Sequence, residues 1–146
     1  YGAWVVGEEV HHAMGRMRHR LTDAPAELAQ VALDLLGDMA LEISAALRHF
    51  GAGIAQRQVL AFELARRVQL ATVMLVVSRY ADRQLDPLVR QAGICAALEL
   101  GTQLTGSRPT GHMHHLLTEL GRAVAEDRFA PAAGADRGTV AMVAPP

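Results

Sequence analysis

The sequence predicts an all-α protein, an antiparallel bundle of four to five helices with a long central helix. Three observations carry this. Apolar residues recur at steps of three and four over most of the chain, the spacing of one helical face. Apolar side chains make up 51% of the residues but aromatics only 4%, so the core must be built from Leu, Val, Ala and Met. Finally, residues 53–83 run without proline, and without glycine after Gly53. That run is apolar on one face in its first half and on nearly every side in its second. A helix apolar all round requires neighbours on all sides, so this segment is expected to be the central rod.

The first helix is expected over residues 4–21, where Val6, Val10, Met14, Met17 and Leu21 form a stripe opposite Glu8, Glu9, Arg16 and Arg20. Thr22-Asp23-Ala24-Pro25 then punctuates the chain. Thr22 or Asp23 can cap the next helix, Pro25 suits its first turn, and Glu27 favours its positive end. The second helix, residues 25–50, repeats Leu28, Val31, Leu35, Met39, Ile43, Leu47 and Phe50 before Gly51-Ala52-Gly53 stops it. The third is expected over 54–84. Asp86-Pro87 caps and starts the fourth, 87–105, with Leu88, Val89, Ala92, Cys95 and Leu98 inward, while Gly93 and Gly101 weaken it or let a helix approach closely. The fifth, 111–128, carries Met113, Leu116, Leu117, Leu120 and Val124. Leu35, Met39, Ile43, Leu64, Val68, Leu75 and Leu117 are the expected core. Short connections make consecutive helices antiparallel.

At 146 residues this is one helical domain, residues 1–130, with an irregular tail, 131–146, in which Pro, Gly and Ala replace the helical period. The start at Tyr1 without Met leads to the expectation of a trimmed or excised piece. A net charge of −1 supplies no electrostatic footprint for nucleic acid and no polybasic membrane patch. No apolar run reaches the about twenty residues a span needs, so membrane association is not expected. No basic n-region of a signal peptide is present, and the expected compartment is the cytoplasm. Cys95, the one cysteine, lies in an apolar run and reads as a buried thiol.

Seven histidines raise the question of a metal. Glu8 stands three and four residues before His11 and His12, and His115 four before Glu119. The remaining helices offer no second Glu-x-x-His, so a di-iron carboxylate site is poorly supplied, and the histidines read as solvated or helix-end residues. Nucleophile elbows, phosphate loops and dinucleotide fingerprints are absent. Ser44, Ser78 and Ser107 read as surface or cap serines, and Trp4 and Tyr80 as packing residues with a polar edge. Arg66-Arg67 must reach water, Glu63 or a partner. No catalytic, cofactor-binding or metal-binding residue is assigned.

Taken in order, the segments resemble the C-terminal extra helical domain of the acyl-CoA dehydrogenases, particularly the very-long-chain branch. The resemblance rests on Glu27-Leu28-Ala29 with Ala32-Leu33, on Gly53-Ile54, Gln58, Leu60 and Leu64-Ala65, and on the aliphatic run closing at Ser78-Arg79. Gly7-Glu8-Glu9 in the first helix and Leu117, Leu120 and Val124 in the fifth fit the same order, so it covers Tyr1 to Ala130. It implies an accessory domain or subunit of an FAD-dependent flavoenzyme that oxidises acyl-CoA to trans-2-enoyl-CoA. The glutamate base and the flavin cradle belong to a preceding catalytic portion, so this chain alone is expected to be inactive and to hold no cofactor. Its implied role is assembly with that catalytic portion. Two departures stand out: Arg66 replaces the acidic residue that usually follows Leu-Ala, and Thr22-Asp23-Ala24-Pro25 stands where the very-long-chain branch has a long membrane-associating segment. Two other readings remain, an independent helical interaction module acting as a homodimer and a His-rich metal-binding bundle. The first helix (Trp4, Val5, Met17) and Val140 to Val143 are the expected exposed apolar patch.

Overall fold

The computed structural model describes residues 21–132. Within them lie four α-helices: α1 (Pro25–Phe50), α2 (Gln58–Asp82), α3 (Pro87–Thr105) and α4 (Gly111–Ala125). Two 3-10 segments, Gly51–Gln56 and Ala130–Ala132, complete the elements, and no strand occurs among the described residues. The all-α expectation holds. The expected first helix, apart from Leu21, and nearly all of the tail lie outside the described residues, together with Glu8, His11, His12, Trp4, Val5, Met17 and Val140 to Val143.

The helix boundaries follow local chemistry. Pro25 occupies the first turn of α1. Neither Thr22 nor Asp23 caps it, contrary to expectation: the N-cap is Ala24, without a side-chain bond. The Thr22 hydroxyl instead donates to Glu27 Oε2 at 2.7 Å, tying the incoming chain to the first turn. Gly51, at φ 52°, closes α1 by donating its N–H to Leu47 O, a backbone position that favours glycine. The next helix begins at Gln58 rather than Ile54, because the reversal uses the 3-10 segment Gly51–Gln56 first. The Arg57 guanidinium lies 4.2 Å from the Phe50 ring centroid and pins this corner. Asp86 caps α3 as expected, its Oδ1 accepting from Leu88 N at 2.8 Å and Val89 N at 3.4 Å. Left-handed Gly106 ends it. Thr110 caps α4 by accepting from Met113 N, and α4 stops at Ala125, before the expected 128.

α2 is the central rod, packing along both α1 and α3, while α4 leans chiefly on α3. The core joins Leu28, Ala32, Leu35 and Met39 of α1 to Ala71 and Met74 of α2, Ala97, Leu98 and Leu104 of α3, and Met113 of α4. The α2–α3 contact is close because small residues line it. A Cβ placed on Gly93 would sit 2.7 Å from the Ala81 Cβ, while one on Gly101 would meet the Leu21 side chain first, at 2.8 Å, and the Met74 Cε at 3.3 Å. Those two points also fix α2 and α3 as antiparallel.

Of the expected core, Leu35, Met39 and Leu64 are buried, and Ile43, Val68 and Leu75 are half-buried. Leu117 is 41% exposed and corrects the expectation. With α4 covered mainly from one side, the inward stripe is narrow. It runs through Met113, Leu116, Leu120 and Ala123, and Leu117 stands one helical step beyond it. Ser78 is corrected in the other direction, being fully buried rather than on the surface.

Candidate functional site

Two surface features and several isolated polar groups are the places where chemistry could reside. The first feature is an open cleft of about 750 Å³ at the end of the bundle where α1 starts and α3 meets α4. Thr22, Asp23, Glu27, Thr102, Arg108 and His112 supply its polar rim, and Leu98 and Met113 its floor. His112 Nε2 lies 3.2 Å from Asp23 Oδ2, but both side chains are more than half exposed, so the pair is solvated and contributes little. His115 stands 3.7 Å from Glu119 one turn on, both side chains also open to solvent. His49 packs its ring edge on Phe50. Among the described residues no group of three or more His, Cys, Asp or Glu side chains could hold a metal ion.

The isolated groups are inward. Cys95 is 3% exposed, and burial pushes its thiol above the ordinary value, the opposite of an activated nucleophile. Ser78 Oγ is buried without a hydrogen-bond partner, unlike Ser44, Thr72 and Thr118, which each donate to the carbonyl four residues back. Arg67, for which the sequence leaves water, Glu63 or a partner open, reaches across to Glu42 of α1. Arg66 stays exposed.

The second feature is the outward face of α2. Val59 is 86% exposed, Phe62 68%, Val76 61%, Tyr80 55% and Val73 42%. With Arg66 and Gln69 between them they fall at steps of three and four, a single stripe on the side away from Leu64, Ala71, Met74, Ser78 and Ala81. No protein-family model, curated protein or solved structure matches this chain.

That surface corrects one sequence expectation. The second half of α2 was expected to be covered on all sides, yet its outer apolar residues are open. The signal was present as an alternating three-four stripe from Val59 to Tyr80, offset from the buried one, but a helix with two apolar stripes reads as one that is simply apolar all round. No helix of the described residues is long and apolar enough to cross a membrane.

Proposed function

We propose that this chain is a helical assembly module, the accessory C-terminal domain or subunit of an acyl-CoA dehydrogenase-like flavoenzyme in the cytoplasm, serving association rather than chemistry. The observation that carries the association role is the row of exposed apolar side chains along α2. Contiguous exposed apolar surface marks an interaction site more often than a scattered residue does. The choice of a flavoenzyme as partner is supported by the ordered segments from Glu27-Leu28-Ala29 to Ser78-Arg79, and by an all-α architecture suited to such a domain.

In this reading FAD and the glutamate base sit in the catalytic portion, and this chain contributes no group to the reaction. A flavin site needs a cradle for the ring and its phosphates. The described surface offers instead an open, solvated cleft and an apolar stripe.

Co-expression with a flavin-binding dehydrogenase polypeptide encoded upstream or alongside tests the proposal. Co-elution of this chain with flavin absorbance in size-exclusion chromatography is expected, and the chain purified alone should be colourless and without acyl-CoA oxidising activity. Separate elution of the two polypeptides would refute the flavoenzyme assignment, and a yellow isolated chain would refute the assembly role. The independent interaction module is the second reading, favoured by the same exposed apolar stripe on α2.

A further inference from the structure

We propose that the outer face of α2 is a homotypic interface, on which a second copy of this chain docks as an antiparallel helix about a two-fold axis passing between Arg66 and Gln69. The proposal rests on the reading of the chain as a helical interaction module, and not on the flavoenzyme assignment.

The seam consists of Val59, Phe62, Arg66, Gln69, Val73 and Val76, all exposed and spaced alternately three and four apart. That is the spacing of the a and d positions in a helix pair packed knobs-into-holes. Its order is apolar, apolar, polar, polar, apolar, apolar, which reads the same in both directions. A surface that meets an identical copy across a two-fold axis must be self-complementary in this way, whereas a surface for an unlike partner need not be.

The order also selects the alignment. In the antiparallel arrangement Val59 meets Val76 of the second copy, Phe62 meets Val73, and Arg66 meets Gln69, and each layer occurs twice. The guanidinium then donates to the amide oxygen, so the two polar layers satisfy each other in the middle of the seam. A parallel pairing stacks Arg66 on Arg66 of the second copy, two like charges in one layer. Sliding the antiparallel pair to bring Tyr80 into the seam puts Arg66 against Val76, leaving a guanidinium without a partner in apolar surroundings. Central polar layers of this kind fix register and orientation in helix pairs.

The local shape fits. A shallow depression of about 390 Å³ lies at the centre of the seam, bounded by Phe62, Ala65, Arg66, Gln69, Leu70 and Val73. The small Ala65 beside the seam leaves room for a side chain of the facing helix. From Val59 to Val76 the seam is about 26 Å long at the helical rise of about 1.5 Å per residue, enough for several successive layers.

Sedimentation equilibrium of the full chain over a wide concentration range tests this, with Phe62→Glu, Val76→Arg and Gln69→Glu as variants. All three positions are exposed, and circular dichroism with thermal melts verifies that each variant folds. Should one of the first two fail to fold, the other carries the test. A dimer is expected for the parent. Phe62→Glu and Val76→Arg should each raise its dissociation constant at least about thirtyfold, because each puts an unpaired charge into an apolar layer that occurs twice in the seam. Gln69→Glu should tighten it roughly threefold, because the new carboxylate meets Arg66 of the second copy in both layers. A chain that stays monomeric at high concentration overturns the proposal, as does a dimer indifferent to Phe62→Glu and Val76→Arg. Weakening by Gln69→Glu overturns the antiparallel alignment. If the isolated chain is monomeric but Phe62→Glu abolishes co-elution with a flavoenzyme, the stripe belongs to an unlike partner. That outcome rejects the homotypic interface and leaves the assembly role standing.

Discussion

Arg67 Nη1 donates to both carboxylate oxygens of Glu42, at 3.0 and 2.8 Å, although the two residues are 25 positions apart and on different helices. Their side chains are 15% and 19% exposed, so the ion pair lies at the edge of the core rather than in open solvent. It clamps α1 to α2 on either side of the 3-10 corner. Removing one partner leaves a mostly desolvated charge behind. Glu42→Ala or Arg67→Ala should therefore cost about 1–3 kcal/mol, the range for taking the partner from a desolvated polar group. The double variant should lose less than the sum of the singles, a coupling that chemical denaturation of the four proteins would reveal. Additive losses would mean that the pair contributes nothing as a pair.

This contact also marks how far the sequence could be followed. Helix boundaries were legible where local chemistry sets them: Asp86-Pro87 starts α3 and Gly106 ends it because a cap and a positive φ are properties of neighbouring residues. Glu63 is the one carboxylate that the sequence places within a turn of Arg67, whereas Glu42 becomes available only after the chain has reversed. The late start of α2 has a similar origin, since Ile54 is helix-compatible but the corner requires the tighter turn. The burial of Ser78 and the openness of Val59 and Phe62 on the same helix depend on which neighbours cover which side. Periodicity identifies faces but does not assign them. The cleft at the start of α1 was not legible either, because Asp23 and His112 are 89 positions apart.

Two glycines separate packing from propensity. Gly37 is mid-helix in α1, exposed, with nothing within 4 Å of an added Cβ. Gly37→Ala should stabilise the fold by about 0.4–1 kcal/mol. Gly93 has the same intrinsic penalty, but its added Cβ would meet the Ala81 Cβ at 2.7 Å and the Ala81 Cα at 3.4 Å. Neither atom is the end of a flexible chain, so α2 and α3 must separate. Gly93→Ala should lower the thermal midpoint despite the better helix former, with a cost of about 1–3 kcal/mol for overpacking. A rise in both midpoints would show that the helices are not held at this distance.

Leucines distinguish the covered and open faces in the same way. Leu28 is fully buried in the core cluster, and Leu28→Ala should cost about 2–5 kcal/mol. Leu117→Ala, at a side chain 41% exposed on α4, should cost under about 1 kcal/mol. Comparable losses at both positions in urea titrations would place Leu117 in a contact as extensive as that of Leu28.

Cys95 links burial to pH. Burial raises its thiol above the ordinary value of 9.0, so the folded protein holds this proton more tightly than the unfolded chain does. Well below pH 9 both states are protonated and the group has no effect on the slope of stability with pH. As pH climbs past that value the unfolded chain ionises first and is favoured. The stability tied to the neutral buried thiol is then lost progressively until the folded pKa is passed. Cys95→Ala removes this titration while keeping a small apolar side chain. The stability difference between parent and Cys95→Ala should be flat at neutral pH and shift against the parent above about pH 9. Urea denaturation of both proteins from pH 7 to pH 10.5, with a disulfide reagent reporting thiol access in parallel, would check it. Labelling of the folded parent should be slow and should track unfolding. Fast labelling at neutral pH, with parallel stability curves for the two proteins, would place the thiol at the surface and remove the effect.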